Sequence, residues 1–308
     1  MVIFRYVFVL ILLTGLVSCK NMVNTFDQHV HKTYLRKGYV SERIQEGPHE
    51  IFYYDNKREN VPVLLFIHGF GGDGKISWKN QAKAFERNYR VIVPDILWFG
   101  KSKSKDAPEL QTQIDAIKEL INHLDIDNIH LVGISYGGFI SLGFAQQNQE
   151  KLASLTIVDS PGVHFTDEEL KAFCDKVGVE NVADAFLPTN SDEVKRMMDF
   201  SFRKAPMLPA VIREQAIGIY LSKNPEEQRK MLEDLPKNRA QFKSLDISIP
   251  VLILWGEDDE IFLISDAHQL QAQLDAELVI VPKAGHSLPV EQPKDFNQAL
   301  KQFIEGAK

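Results

Sequence analysis

The chain has 308 residues, of which 44% are hydrophobic and 25% are charged, a composition ordinary for a soluble globular protein. Its net charge of −7 gives no electrostatic argument for binding nucleic acid or an anionic membrane surface. The length accommodates one large α/β domain or a core domain carrying an insertion.

The N-terminal residues differ from the rest of the chain. Residues 1–17 are almost wholly apolar apart from Arg5. A basic residue, an apolar core of about ten residues and then small residues are typical of a secretory signal, whereas a membrane span needs about twenty apolar residues. Residues 16–19, Leu-Val-Ser-Cys, also resemble the bacterial lipobox. This resemblance implies a signal peptide at 1–18, acylation of Cys19, and an exported lipoprotein anchored to a membrane of the cell envelope; an uncleaved N-terminal anchor is the alternative.

The segment 19–47 is predicted to be a tether or an amphipathic N-terminal segment. Within it, apolar residues recur at four-residue intervals, and these are Met22, Phe26, Val30 and Tyr34. The spacing fits a modest amphipathic helix that docks on the body or lies near the membrane surface, and it fits a solvated tether equally well.

A core domain formed by 48–160 and 250–308 is predicted from alternating strand and helix patterns. Strand-like apolar runs occur at 49–54, 63–67, 90–94, 129–134, 155–158, 251–255 and 277–281. Helical patterns occur at 76–87, 109–124, 139–147, 265–274 and 294–304. Continuous apolar runs indicate strands buried on both faces, so the sequence predicts an α/β fold with a mostly parallel central sheet flanked by helices.

The alternation stops between residues 161 and 249. This stretch contains helical patterns and several prolines but no strand pattern. We therefore predict a helical cap inserted into the core domain. Most of its apolar residues should pack against one another, and some should line a binding pocket between cap and sheet.

The residues around Ser135 have the layout of a nucleophile elbow. The strand-like run ends at Gly133-Ile134-Ser135-Tyr136-Gly137, and a helical pattern follows. A serine on so sharp a turn is held in a strained backbone conformation, and side chains at the glycine positions would collide with the neighbouring strand and helix. A simple Gly-Ser turn is the alternative interpretation.

A serine hydroxyl needs a base, and the base needs a group to orient it. His286 follows the last predicted strand, and Asp258 and Asp259 follow the strand before it. Loops beyond the carboxyl ends of parallel strands meet at the edge of the sheet where ligands bind. The sequence therefore allows these side chains to meet Ser135.

The chain resembles the α/β-hydrolase superfamily, in a serine esterase or lipase-like form, over about 48–304. The matching motifs, in chain order, are His68-Gly69-Phe70-Gly71-Gly72, Pro94-Asp95 with Gly100-Lys101-Ser102, the turn at Ser135, Gly256-x-x-Asp259, and Gly285-His286 with Glu291 and Pro293. The resemblance implies that Ser135 is the nucleophile, His286 the general base and Asp259 the orienting acid. Asp258 is a rival acid, and Asp159 is a less favoured one.

The resemblance also implies an oxyanion hole formed by the backbone N–H groups of Phe70 and Tyr136. His68 precedes this loop, and we interpret it as a structural residue. No Cys/His cluster has metal-ligand spacing, so we predict no metal site and no cofactor.

A serine at the elbow implies attack on an acyl carbon, because relatives that open epoxides or displace halide carry aspartate there. We therefore predict a carboxylic ester hydrolase that acts on a small-molecule or lipid ester, with no nucleic-acid partner. The alternatives are a C–C bond hydrolase of ring-cleavage diketones and a non-catalytic, lipid-anchored binding protein.

Overall fold

The structure, a computed structural model, describes residues 21–306. The predicted signal peptide at 1–18 and the predicted lipidation site, Cys19, lie outside the described residues. Within residues 21–306, no helix is both long enough and apolar enough to cross a membrane.

The core of the fold is a central β-sheet, on which the helices pack. Its strands are β1 (Val40–Glu46), β2 (His49–Asp55), β3 (Val63–Ile67), β4 (Arg90–Pro94), β5 (Lys103–Ser104), β6 (Ile129–Ile134), β7 (Leu152–Val158), β8 (Val251–Gly256) and β9 (Glu277–Val281). Their spatial order is β1-β2-β4-β3-β6-β7-β8-β9, and β5 pairs with β2. From β4 to β9 all neighbours are parallel, whereas β1, β2 and β5 join the sheet through antiparallel pairs. The sheet is mostly parallel, as predicted.

The sheet begins earlier in the chain than the predicted core boundary at residue 48. Strand β1 pairs with β2 along its whole length, from Val40 opposite Asp55 to Glu46 opposite His49. This strand lies inside the predicted N-terminal segment 19–47. It escaped prediction because it is polar: Ile44 is the one residue of β1 that is buried, as expected for a solvated edge strand.

Helices cover both faces of the sheet. The helices of the core are α1 (Met22–Arg36), α2 (Gly74–Ser77), α3 (Lys79–Phe85), α4 (Leu110–His123), α5 (Tyr136–Asn148), α11 (Ile264–Leu274), α12 (Leu288–Glu291) and α13 (Pro293–Gly306). Strand β3 shows the consequence, because Leu65 and Ile67 belong to the core on one face while Leu64 and Phe66 belong to the core on the other. Burial on both faces explains why the strand reads as an uninterrupted apolar run.

Residues 161–249 form helices and turns over the carboxyl edge of the sheet, and we call this part the cap. Its helices are α6 (Asp167–Val177), α7 (Val182–Phe186), α8 (Ser191–Ser201), α9 (Ala210–Ala216) and α10 (Pro225–Asp234). A π-helical turn, Ile217–Leu221, continues α9. The cap has a small core of its own, in which Phe173, Phe186 and Phe200 pack edge to face or stacked.

Candidate active site

Ser135 occupies the turn between β6 and α5. Its backbone has φ 52° and ψ −122°, a conformation that a residue with a side chain adopts only under strain. The turn is held because the N–H of Ser135 donates a 2.9 Å hydrogen bond to the carbonyl oxygen of Val158 on the neighbouring strand. The predicted strain at the serine is confirmed.

The glycines on either side of Ser135 are required by close packing. A Cβ atom on Gly133 would overlap the carbonyl oxygen of Gly137 and the hydroxyl of Ser141, and one on Gly137 would overlap the carbonyl oxygens of Ile67 and His68. These obstacles are mostly backbone atoms that cannot swing away. The predicted collision of flanking side chains with strand and helix is therefore confirmed.

His286 and Asp259 are joined at the carboxyl edge of the sheet. The ring nitrogen Nδ1 of His286 lies 2.8 Å from Oδ2 of Asp259. The other carboxylate oxygen accepts backbone N–H groups from Ile261, at 2.8 Å, and Phe262, at 3.2 Å. Since a carboxylate can only accept, Nδ1 carries the proton in this bond, and Nε2 is the nitrogen left to act as a base.

The two other candidate acids have different surroundings. Asp258 forms a 2.6 Å ion pair with the guanidinium of Arg203 at the surface. Asp159 is fully buried, and its Oδ1 accepts the N–H of Gly256 at 2.8 Å. Burial, and then the nearby charge of Asp259, hold the pKa of Asp159 well above its ordinary value. A carboxyl whose pKa is raised in this way resists ionisation, so it is poorly suited to stabilising an imidazolium.

His68 is fixed inside the loop that precedes Phe70. Its Nδ1 lies 2.8 Å from the carbonyl oxygen of Gly69, and its Nε2 accepts the N–H of Ile96 at 3.0 Å. Complete burial lowers the pKa of His68 to about 4. A neutral imidazole with both nitrogens bonded to backbone has a structural role, which agrees with our interpretation of the sequence.

The two residues predicted to form the oxyanion hole lie beside Ser135. Phe70 and Tyr136 line the same cavity as the serine. Tyr136 is the first residue of α5, so its N–H has no carbonyl partner within the helix. The loop carrying Phe70 comes close to the elbow, since a Cβ atom on Gly69 would lie 3.0 Å from Cβ of Ser135.

Two cavities meet at Ser135, and Phe70 and Phe186 line both. The smaller, of about 50 Å³, is almost entirely apolar and extends under the cap; besides the shared residues it is lined by Tyr136, Phe139, Phe165, Leu170, Phe173, Val182, Leu232, Leu235, Pro236, Ile261 and Phe262. The larger, of about 260 Å³, contains His286 together with Met197, Met198 and Leu221 from the cap.

The sequence could not single out most of these lining residues. Apart from the shared residues and from Tyr136 and Phe139 on α5, those of the smaller cavity come from the cap and from the loop after β8, and each carries an ordinary apolar side chain of the kind that also fills cores. Among residues 21–306, no three His, Cys, Asp or Glu side chains are grouped so that they could hold a metal ion.

Comparisons with known proteins agree with this architecture. A model of the family described as "alpha/beta hydrolase fold" matches residues 62–293. Lipase 1 of Psychrobacter immobilis is 28% identical over 273 residues, which cover 84% of this chain and 83% of the lipase. A 2-hydroxy-6-oxononadienedioate/2-hydroxy-6-oxononatrienedioate hydrolase of Paraburkholderia xenovorans is 25% identical over 279 residues, or 85% of this chain and 93% of that one.

A solved structure shares this fold. The crystal structure of a bacterial membrane phospholipase A superposes with a TM-score of 0.78 at 24% identity, and the alignment covers 100% of this chain and 99% of that one. At that level of identity the likeness concerns the fold.

Proposed function

Because the chain belongs to the alpha/beta hydrolase fold family, we propose that it hydrolyses carboxylic esters through an acyl-enzyme. The observation that carries the proposal is the 2.8 Å bond between Asp259 and His286, with His286 lining the same cavity as Ser135. A serine hydroxyl becomes a nucleophile when an oriented base can take its proton, and a histidine held by a carboxylate is such a base.

In the proposed reaction, Oγ of Ser135 attacks the ester carbonyl while Nε2 of His286 takes the hydroxyl proton. The oxyanion of the tetrahedral intermediate receives hydrogen bonds from the N–H groups of Phe70 and Tyr136. As the intermediate collapses, His286 gives its proton to the departing alcohol oxygen, and Asp259 stabilises the imidazolium meanwhile. Water, deprotonated by His286, then releases the acid and restores Ser135.

This proton path indicates which part of the ester each cavity would bind. The alcohol oxygen must lie near His286, so the alcohol part of the ester belongs in the larger cavity of about 260 Å³. The acyl chain then belongs in the smaller aromatic cavity, which contains Phe70 and Tyr136 but not His286. An almost wholly apolar lining supports an apolar acyl group.

The test compares the full-length protein with Ser135→Ala and Ser77→Ala in detergent solution, on p-nitrophenyl esters of increasing chain length. Ser77 is a matched control because it lines the larger cavity too. Ser135→Ala should lower turnover on the order of 10⁴- to 10⁶-fold, whereas Ser77→Ala should retain most of the activity. Near-normal turnover by Ser135→Ala would remove Ser135 as the nucleophile.

A C–C bond hydrolase is the second candidate, because the Paraburkholderia xenovorans relative is named for cleaving such a substrate. The same nucleophile and base would serve that reaction. If the wild-type protein hydrolyses no ester but removes the absorbance of a ring-cleavage diketone, C–C bond hydrolysis replaces ester hydrolysis as the proposed function. Inertness on both substrates would favour a binding protein that kept the fold.

We also propose that the enzyme is exported and anchored to a membrane of the bacterial cell envelope by lipid on Cys19. The support is the sequence 16–19, Leu-Val-Ser-Cys, after an apolar run that contains one basic residue, Arg5. An anchored ester hydrolase would meet acyl lipids or scavenged esters at the membrane surface.

A further inference from the structure

A partly buried cluster of charged and polar side chains lies where α1, α2 and the cap meet; Asp73 and Lys75 are buried, and Asp27 and Tyr220 are half-buried. The ammonium of Lys75 lies 2.7 Å from Oδ1 of Asp27 and also contacts the carboxylate of Asp73. The same Oδ1 of Asp27 accepts a 2.9 Å hydrogen bond from the hydroxyl of Tyr220. Burial alone would lower the pKa of Lys75, but the two carboxylates raise it above the ordinary value, so Lys75 is charged.

The members of this cluster come from three separate parts of the chain. Asp27 is on α1, Asp73 and Lys75 belong to the N-cap and first turn of α2, and Tyr220 is in the π-helical turn Ile217–Leu221 of the cap. Asp27 joins the other two parts through its carboxylate, which bonds Lys75 on α2 and Tyr220 in the cap. Lys75 also contacts the cap directly, because its ammonium lies 5.8 Å from the centroid of the Tyr220 ring.

The parts held by Asp27 are connected directly to the active site. The carbonyl oxygen of Tyr220 accepts the N–H of Gly72 at 3.0 Å. Gly72 ends the loop 69–72, which contains Phe70, and Leu221 lines the larger cavity together with Ser135 and His286. A shift of Tyr220 would therefore be transmitted to the loop that supplies one of the two proposed oxyanion donors.

Further bonds attach α1 to the same two parts. The N–H of Val23 donates to the side-chain oxygen of Gln215 in the cap at 3.2 Å. The hydroxyl of Tyr34 donates to the carbonyl oxygen of Lys75 at 3.2 Å. Helix α1 thus contacts the cap near its start and α2 near its end, and Asp27 lies between these contacts.

We propose that Asp27 is a positioning residue. It holds the loop 69–72 and the cap turn Ile217–Leu221 in place relative to Ser135. The proposal rests on the proposed function for its catalytic consequence, because it concerns the oxyanion donor at Phe70. Attachment of α1 to the core does not require Asp27, since Val30 and Tyr34 of the same helix are buried in the hydrophobic core. Its carboxylate instead fixes the relative position of two active-site walls.

The test compares wild-type full-length protein with Asp27→Asn and Tyr220→Phe. The matched controls are Asp199→Asn, which breaks an exposed ion pair with Lys195, and Tyr53→Phe, which removes a hydroxyl that bonds Glu42 on β1.

Active sites are titrated with an alkyl phosphonate that reacts with Ser135, so that kcat refers to folded enzyme alone. Asp27→Asn should lower kcat per titrated site about ten- to a hundred-fold with KM little changed, because a misplaced donor acts on the transition state. Tyr220→Phe should act in the same direction, and both controls should match the wild type.

Hydrogen exchange gives a second readout that does not depend on catalysis. The amides of 69–72 should exchange faster in Asp27→Asn than in the wild type and in Asp199→Asn, since the Gly72 bond to Tyr220 opens more often. Unchanged exchange there, or unchanged kcat per titrated site, would overturn the positioning role even if the melting temperature fell. A wild type inert towards every ester would refute the proposed function, and the exchange rates would still decide the role of Asp27.

Discussion

The adjacent residues Asp258 and Asp259 direct their carboxylates to different partners. Asp259 lies 2.8 Å from Nδ1 of His286, and its side chain is 0% exposed, whereas Asp258 is 43% exposed and pairs with Arg203 of the cap. Two adjacent residues thus differ in kind: one is a buried acid bonded to His286, and the other belongs to a surface ion pair. The resemblance to the α/β-hydrolase superfamily favoured Asp259, and the geometry provides the physical distinction between the two acids.

This difference predicts opposite outcomes for two conservative substitutions. Asp259→Asn should lower kcat on the order of 10³- to 10⁴-fold, because an amide cannot stabilise the imidazolium and favours the wrong histidine tautomer. Asp258→Asn removes a pair between exposed groups, which is worth about 0–1 kcal/mol, and should leave kcat nearly unchanged. Steady-state kinetics on a soluble ester measures both, and a large loss in Asp258→Asn alone would reverse the assignment.

Substituting Gly137 tests the packing behind the elbow. Gly137→Ala should cost about 1–3 kcal/mol of unfolding free energy, as overpacking does, and should lower activity by displacing the backbone of Ile67 and His68. Gly218→Ala is the control, because nothing lies within 4 Å of a Cβ atom there. It should be neutral or slightly stabilising. Denaturant unfolding and turnover are measured together, and a Gly137→Ala protein with normal stability would contradict the close approach.

The sequence predicted the parts of this protein that follow from local rules. The buried strand Val63–Ile67 is a continuous apolar run, so its bounds were predicted correctly, and the α/β-hydrolase fold is confirmed. Strand β7 was predicted to begin at residue 155 and in fact begins at Leu152. The edge strand β1 was missed because it depends on pairing with β2 rather than on apolar residues. Asp27 contacts residues that lie about fifty and about two hundred positions further along the chain. Periodic patterns in a sequence predict local structure only, so they could not predict these contacts.

The buried carboxyl of Asp159 predicts a particular dependence of stability on pH. Its pKa is raised by burial and by the charge of Asp259, so the folded state prefers the protonated form. Its contribution to stability is complete below about pH 4, near the ordinary pKa of aspartic acid, and is lost as pH rises through the raised value in the folded protein. Asp159→Asn should therefore gain stability relative to the wild type as pH increases.

Denaturant unfolding of both proteins between about pH 4 and pH 9 measures this difference. The control is Asp175→Asn, which changes an exposed residue paired with Lys171. A difference between Asp159→Asn and the wild type that stays constant across the range would show that Asp159 does not titrate in this way.

The proposed anchor predicts that Cys19→Ser removes lipid from the protein. Metabolic labelling with a radioactive fatty acid should mark the wild type and leave Cys19→Ser unlabelled, because the hydroxyl cannot take the place of the acylated thiol. Cys174→Ser is the control, since that cysteine is buried in the cap and should not affect labelling. Equal labelling of wild type and Cys19→Ser would refute the lipoprotein proposal.

The assignment of acyl and alcohol groups to the two cavities predicts separable changes in specificity. Leu170 lines the smaller cavity and Val290 the larger one, and neither is fully buried, so both tolerate truncation. Leu170→Ala removes about three carbon atoms and should move the preferred acyl chain to a longer length. Val290→Ala should alter the preference among alcohols while the preferred acyl length stays the same. Hydrolysis rates on a grid of acyl lengths and alcohol sizes distinguish these effects, and the opposite pattern would exchange the roles of the two cavities.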